Sequence, residues 1–276
     1  MEVIKPFLKD LIKEAVGMSL TYQRNLLKDY LQIVILKFIY SHPKYSQLVF
    51  YGGSCLRHCF DLPRLSEDLD FVDLKKDIQL THLANDLQDY FKKDTDLAVK
   101  TKIQSSRIQV KFAILKELGL ASSSESDMLY LKLEIFRAFD FCSDYQINTT
   151  PIFKFNRSLL IKTFDLSTMM ATKIGAVMNR KWEKTAKGGE LLAKVKGRDY
   201  FDLVWYLNKA IKPNLKCLMN KESAASLKEK LLVAIAKVDS KSIEYDLGPL
   251  MEDSSFVKGL AKNIKDILRR EIQEKL

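Results

Sequence analysis

The sequence predicts an α/β fold, in which a mixed sheet with covering helices is followed by an all-helical C-terminal domain. Up to about residue 160, short segments that alternate apolar and polar residues are interspersed with helical patterns. Beyond Pro151 and the boundary near residues 155–165, only helical periodicity recurs. We therefore expect a sheet domain with N-terminal helices at residues 1–160 and a helical domain at residues 161–276.

The first domain begins with a broad apolar stripe at residues 20–40, which predicts a buried helix starting after Ser19. A short strand at 48–51 ends at a Gly-Gly pair, and a short helix follows. Further along, the alternation predicts a strand at 68–74 with Leu69 and Phe71 on one face. The remaining elements predicted in this domain are a helix at 77–93 and strands at 97–103, 107–115 and 128–136.

Helical spacing of apolar residues dominates the second domain. The stretch 181–197, rich in Lys and Gly, is expected to be a mobile loop. The predicted helices lie at 165–179, 198–210, 223–238 and 254–276.

Composition gives a weak indication of the partner. With 45 Lys and Arg against 35 Asp and Glu, the net charge is +10, which suits a polyanion, although a solvated lysine-rich surface gives the same sum. The four cysteines show no zinc-ligand spacing and are expected to be reduced thiols. No apolar run reaches the roughly 20 residues that a membrane span needs. We expect a soluble, cytoplasmic protein with no membrane partner.

The sharpest motif is YGGSCLRHCFDLPRLSEDLDF at residues 51–71. Glycines and the Ser54 hydroxyl allow phosphate oxygens to approach a helix N-terminus. Asp68 and Asp70 are alternate strand residues, so their Cα atoms lie ~6.6 Å apart on one face, where they can bind divalent ions. A Gly-Gly-Ser turn alone is more often an ordinary turn, and an Asp-x-Asp pair alone more often lies on an exposed edge strand. Together they favour phosphoryl transfer.

This motif resembles that of the nucleotidyltransferase superfamily with the DNA polymerase beta-like fold: Gly53, Ser54, Asp68 and Asp70 match its Gly-Gly/Ser turn and its pair of acids. More narrowly, residues 28–71 resemble the AbiEii toxin family of AbiE and MenT abortive-infection systems. The similarity continues at Glu134 in YLKLEIF, at Lys173 in TMMATKIGAVMNR and at RDYFDL (198–203).

The resemblance implies roles for individual residues. Asp68 and Asp70 would hold Mg²⁺, with Mn²⁺ as a substitute, while Gly53 and Ser54 would bind nucleotide phosphates. Glu134 would be a third catalytic acid and Lys173 would bind the triphosphate. The residues alone leave alternatives open, because Glu134 and Lys132 can be an exposed charge pair and Lys173 can extend from a buried helix face to solvent.

Four further residues are weaker candidates. Asp199 and Asp202 share a helix face, and either could carry the role of the family's last acidic motif. Alternatively, Asp199 only interacts with the positive end of the helix dipole. Arg57 could reach a nucleotide phosphate from the short helix, and Ser66 lies two residues before Asp68.

The resemblance implies a toxin that transfers NMP from an NTP to an acceptor, with the tRNA 3′ end as the expected RNA and a separate antitoxin as partner. Blocked translation would be the consequence. The alternatives are transfer to a small molecule or a protein, and a non-enzymatic RNA- or antitoxin-binding protein on the same fold.

Overall fold

The computed structural model describes residues 1–142, 144–186, 188–218 and 223–276. The chain divides into two compact units, one formed by Met1–Phe139 and Asn148–Thr163, the other by Asp140–Ile147 and Phe164–Leu276. Thus the division lies close to the predicted boundary, but residues 140–147 group with the second unit. The assignment of residues 1–160 and 161–276 to two domains stays a prediction.

The first unit combines helices with a mixed sheet, which confirms the predicted α/β class. Its elements are α1 (Lys5–Glu14), α2 (Leu20–Ser41), β1 (Val49–Tyr51), α3 (Gly52–Cys59), β2 (Asp68–Val72), α4 (Leu80–Asp94), β3 (Val99–Gln104), β4 (Arg107–Ala113), β5 (Met128–Phe136), β6 (Ile147–Lys154) and β7 (Arg157–Phe164). The strands lie in the sheet in the order β3-β4-β5-β2-β1-β7-β6.

The second unit is built mainly from helices. Its elements are α5 (Leu166–Asn179), β8 (Lys184–Thr185), β9 (Leu191–Ala193), α6 (Gly197–Asn208), α7 (Ala224–Ala236), α8 (Ser240–Leu247) and α9 (Ser254–Lys275). The apolar helix α6 packs against α5, α8 and α9, and its residues from Tyr200 to Leu207 are buried.

Helix α2 forms where the apolar stripe predicts it. The Ser19 side chain caps its first turn by accepting a hydrogen bond from the Tyr22 amide. Leu31, Ile33 and Ile35 are fully buried although they lie on different faces, so α2 is a core helix of this unit, as predicted.

Several elements differ from the predictions. Strands β6 and β7 and helix α8 were not predicted, and the stretch 181–197 contains the hairpin β8–β9 where a mobile loop was expected. In β6, Pro151 obscures the strand pattern, yet it is tolerated because β6 lies at the sheet edge. The C-terminal domain is therefore helical with one small hairpin.

The expectation of four reduced cysteines is wrong for one pair, because Cys142 and Cys217 form a disulfide. Contacts within the second unit bring them together: Asn214 Nδ2 donates to the Asp144 carbonyl at 2.5 Å and Lys216 pairs with the Asp144 carboxylate at 2.6 Å. Cys55 and Cys59 are free thiols.

Membrane insertion by a helix finds no support in the described ranges, where every helix is too short or too polar to span a bilayer.

Candidate active site

Three predicted acids lie side by side on one face of the sheet. In the parallel pairing of β2 with β5, Asp70 is opposite Glu134, and in the antiparallel pairing of β1 with β2, Asp70 is opposite Tyr51. Asp68, Asp70 and Glu134 are half-buried, whereas Leu69 and Leu133 on the other face are fully buried. The register between strands that are distant in sequence thus brings Glu134 next to the Asp-x-Asp pair.

Two cations accompany these acids. Lys132 Nζ lies 3.8 Å from Asp68 Oδ1, and Arg107 Nη1 lies 3.8 Å from Glu134 Oε1. All four side chains are partly solvent-exposed, so each pair contributes little to stability. The alternative in which Glu134 pairs with Lys132 is not observed, since these two carry separate ion pairs.

The Gly-Gly turn is packed directly against the acids. Gly52 has φ +79°, a conformation that side-chain-bearing residues rarely adopt, and a Cβ at this position would collide with Asp70 Oδ2. A Cβ on Gly53 would lie 2.8 Å from Arg64 Nη2 and 3.1 Å from Ser66 Oγ. Gly52 is therefore required for the close approach of β2 to helix α3, whereas a side chain at Gly53 would displace the Arg64 guanidinium.

The Ser54 hydroxyl faces the interior rather than solvent. It is fully buried and donates a hydrogen bond to the Asp68 carbonyl oxygen. The serine thereby ties the first turn of α3 to the strand that carries the two aspartates. This corrects the expectation that the Ser54 hydroxyl binds phosphate oxygens, because the hydroxyl is buried and already donates to Asp68. Phosphate binding by Gly53 stays a prediction.

Arg57 and Ser66 belong to a polar network behind the turn. Arg57 pairs with Asp29 at 3.2 Å, and the Ser66 carbonyl accepts a hydrogen bond from Gln32 Nε2 at 2.9 Å. Gln32 Oε1 in turn lies 2.8 Å from His58 Nε2. Arg57 and Ser66 thus connect the turn to Asp29 and Gln32 of α2. A direct role for Arg57 or Ser66 in nucleotide binding stays a prediction.

The side chains at this site carry the type of oxygen atom that binds a divalent cation. Carboxylate oxygens are what hard cations such as Mg²⁺ prefer, and Asp68 and Asp70 offer two of them on one face. Within the described ranges no three His, Cys, Asp or Glu side chains are close enough together to hold a metal ion. That Asp68 and Asp70 hold a metal ion stays a prediction.

The second unit contains its own charged cluster. Lys173 Nζ on α5 lies 2.8 Å from both Asp199 Oδ1 and Asp202 Oδ2 on α6, and Arg180 lies 2.7 Å from Asp199 Oδ2. The i, i+3 spacing predicted that the two aspartates share a face, and both contact the same lysine. Burial raises the pKa of Asp199, but Lys173 and Arg180 outweigh it and lower the pKa to about 2.

The Lys- and Gly-rich stretch 181–197 contributes to a cavity of this unit that is rich in cations. A cavity of about 630 Å³ is lined by Arg180, Lys181, Lys194 and Lys237, together with Trp182 and Tyr200. Lys184 and Lys194 are exposed. Lys187, in the same stretch, lies outside the described residues.

Sequence reasoning missed two residues of the site and gave a third the wrong partner. Gly52 was treated as an ordinary member of the turn, although its positive φ and its contact with Asp70 single it out. Arg107 was not connected with the acids, and Lys132 was considered only as a partner of Glu134, whereas it lies next to Asp68. Their alternation along β4 and β5 placed them on the polar face, but only the strand order reveals which acids they accompany.

A family model matches residues 37–273 of the chain, and its description reads nucleotidyl transferase AbiEii toxin, type IV toxin–antitoxin system. The chain belongs to this family. As an AbiEii protein it is a nucleotidyltransferase, with an NTP as substrate, and it is the toxin of a toxin–antitoxin pair, with an antitoxin as partner. The non-enzymatic alternative is therefore set aside.

Two solved structures, both from Helicobacter pylori, are similar to this AbiEii chain. The JHP933 protein is 18% identical, with a TM-score of 0.48, over 94% of this chain and 96% of its own. A protein described as a candidate nucleotidyltransferase is also 18% identical, with a TM-score of 0.48, over 91% of this chain and 97% of its own. No curated protein matches the sequence significantly.

Proposed function

We propose that this AbiEii protein uses Mg²⁺ to transfer NMP from an NTP to an RNA acceptor, and that the tRNA 3′ end is this acceptor. The observation that carries the proposal is the register that puts Glu134 beside Asp70, next to the Gly-Gly turn. An altered tRNA 3′ end cannot be aminoacylated, so translation would stop and the protein would act as a toxin.

Each residue has a distinct part in the reaction. Asp68 and Asp70 hold the metal, which when bound supplies charge neutralisation at the reacting phosphate. The Gly53 backbone binds nucleotide phosphates and Lys173 binds the triphosphate. The buried Ser54 ties the turn to β2 through the Asp68 carbonyl. Arg57 and Ser66 keep the turn in place through Asp29 and Gln32.

The transfer is a displacement at the α-phosphorus. The acceptor hydroxyl oxygen forms a bond to this phosphorus, the bond to the bridging oxygen breaks, and pyrophosphate leaves. The hydroxyl proton passes to the carboxylate of Glu134, which lies beside Asp70 and is partly exposed to solvent.

RNA is favoured as acceptor by charge. The net charge of +10 is consistent with a polyanionic partner, and cations accompany the acids at the sheet face. A small-molecule or protein acceptor would not require this excess.

The test is incubation with each of the four NTPs labelled at the α-phosphate, with Mg²⁺, total RNA and a cell lysate. We expect label from one or more NTPs in the tRNA band, and none with Asp70→Asn. Label in the protein or small-molecule fraction instead would overturn the RNA assignment. Activity that is equal with and without a chelator would overturn the metal assignment.

Binding can be measured apart from transfer. A ligand that binds only the folded state raises the melting temperature by mass action. We expect NTP with Mg²⁺ to raise the melting temperature of the wild type and to raise that of folded Asp68→Asn or Asp70→Asn protein much less. An equal gain in all three proteins would contradict the assigned ligands.

A further inference from the structure

One face of the sheet is basic over three neighbouring strands of the first unit. Cations on this face come from β3, β4 and β5, whose pairing is continuous in the sheet. The side chains on this face, read from the register of the strands, are Lys100, Lys102 and Gln104 on β3, Arg107, Gln109 and Lys111 on β4, and Tyr130, Lys132 and Glu134 on β5.

This face is open, whereas the opposite face is part of the core. Ile108, Val110 and Phe112 point to the opposite face and are fully buried, where Phe112 packs edge-on against Phe91 of α4 at 5.5 Å. On the basic face, Lys100 and Lys102 are exposed, and 40% of the Tyr130 surface is accessible. The basic side chains are thus available to a ligand.

The placement of the lysines costs stability. Lys100 and Lys111 are direct cross-strand partners, and like charges opposite one another destabilise a sheet. Lysines on an edge strand commonly protect against edge-to-edge pairing, which accounts for Lys100 and Lys102. It does not account for Lys111, because β4 is an interior strand. A bound anion would relieve this repulsion.

The basic face leads to the predicted catalytic acids. Lys132 is paired in register with Asp68, and Glu134 with Asp70, so β5 connects the cations of β4 with the acids of β2. From β3 to β2 there are three strand spacings, which is about 14 Å. A few nucleotides of a single strand can cover this distance.

We infer that this open face of β3, β4 and β5 binds the sugar-phosphate backbone of the single-stranded end of the RNA acceptor. The inference rests on the proposed function and adds the surface that holds the acceptor. Lys100, Lys102 and Lys111 contact phosphates, and Tyr130 offers a ring on which a base stacks. The strand end then lies at Glu134 and Asp70, where its hydroxyl reacts.

A matched pair of triple variants tests the inference. The first carries Lys100→Gln, Lys102→Gln and Lys111→Gln, and the control carries Lys258→Gln, Lys262→Gln and Lys265→Gln on α9. Each set has two exposed lysines and one half-buried lysine. Each lowers the net charge from +10 to +7 (45 − 3 − 35). Total charge is therefore the same in both.

The measurement is binding of fluorescent single-stranded RNA, without NTP or metal, over a series of salt concentrations. Each lost phosphate contact reduces the log–log slope by about 0.7, so the sheet variant should lose up to about 2 from the slope and the control none. Melting curves check folding, and relief of the Lys100–Lys111 repulsion should leave the melting temperature of the sheet variant unchanged or raised. Equal slopes for the two variants would overturn the inference.

Failure of the inference can be told apart from failure of the proposed function. If the wild type transfers NMP to RNA and the sheet variant binds RNA as the wild type does, the surface assignment is wrong and the function stands. If RNA binds with the predicted loss of slope but receives no NMP, the function is wrong and the surface stands. An AbiEii protein that neither binds nor modifies RNA overturns both.

Discussion

At the scale of single residues, Gly52 and Asp70 depend on each other. Because Gly52 has no side chain, there is space for the Asp70 carboxylate, and a Cβ at this position would collide with it. The turn is therefore required both for the backbone and for the position of an acid that we assign to the metal.

Gly52→Ala should accordingly lose both stability and activity. The left-handed backbone costs an alanine about 1–2 kcal/mol, and displacement of Asp70 should lower NMP transfer at least about 10-fold, which corresponds to 1.4 kcal/mol. The control is Gly259→Ala on α9, which has open space around its Cβ and should gain about 0.5–1 kcal/mol. Chemical denaturation and transfer assays measure both effects. Wild-type activity in Gly52→Ala would contradict the coupling.

Asp199 gives a second prediction at this scale, on acid stability. Its folded pKa of about 2 lies below the ordinary aspartate value of 3.8, so its ion pairs contribute their full stabilisation above about pH 4. This contribution is lost as the pH falls towards about 2, because the unfolded state binds the proton first. The difference amounts to about 2 kcal/mol.

Urea denaturation between pH 5 and pH 2 measures this loss. We expect Asp199→Asn to be less stable than the wild type at pH 5, since Lys173 and Arg180 lose a partner, and to lose less stability on acidification. The exposed Asp266→Asn on α9 should behave like the wild type, because its ion pair with Arg269 is solvent-exposed. Parallel pH curves for Asp199→Asn and the wild type would contradict the assignment.

At the scale of elements, the contact between α2 and α3 carries a buried histidine. Gln32 donates its amide to the Ser66 carbonyl, so its oxygen accepts, and His58 Nε2 must carry the proton. Burial lowers the pKa of His58 to about 4. The charge of Asp29 raises this pKa, whereas the charges of Lys154 and Arg57 lower it further. The histidine is therefore neutral at physiological pH.

His58 should make the first unit sensitive to mild acid. Between pH of about 6.5 and 4 the unfolded state binds a proton that the folded state does not, so stability should fall by about 1.4 kcal/mol per pH unit. His58→Gln keeps a donor for Gln32 but does not titrate, and it should remove this slope. Denaturation at pH 7, 6 and 5 measures the difference. The same slope in both proteins would place the titrating group elsewhere.

Elements with a strong local pattern could be predicted from the sequence. Strand β5 has the predicted bounds, because nine residues alternate without Gly or Pro. Helix α8 was missed since eight residues give too few turns for periodicity. Strands β6 and β7 were missed because Pro151 and a turn with positive φ at Phe155 and Asn156 interrupt the pattern.

The site could be predicted only where it is local. Alternation predicted that Asp68 and Asp70 share a face, and their shared face is observed. The pairing of Asp70 with Glu134 depends on strand order, which no local pattern contains. The partners of Lys173 likewise depend on how α5 packs against α6. The catalytic roles of all these residues stay predictions.

At the scale of the whole molecule, the excess positive charge is spread over more than one surface. Besides the sheet face, the segment 181–197 carries exposed lysines. Neutralising Lys184, Lys187, Lys194 and Lys196 together should flatten the salt dependence of RNA binding, because each phosphate contact releases counterions. The control is again the α9 triple variant. An unchanged slope would mean that RNA binds elsewhere, and the sheet face is the surface we would then assign to all of the binding.

Toxicity is the property of the whole protein that the family membership leads us to test in cells. Expression without the antitoxin should arrest bacterial growth, because modified tRNA would no longer support translation. Asp70→Ala should abolish the arrest, since we assign this carboxylate to the metal, whereas Asp266→Asn should retain it. Growth curves at matched protein levels, with labelled amino-acid incorporation measured in the first minutes, separate blocked translation from slower effects. Equal growth of cells expressing the wild type and Asp70→Ala would refute toxicity through NMP transfer, and growth arrest with undiminished incorporation would refute tRNA as the acceptor.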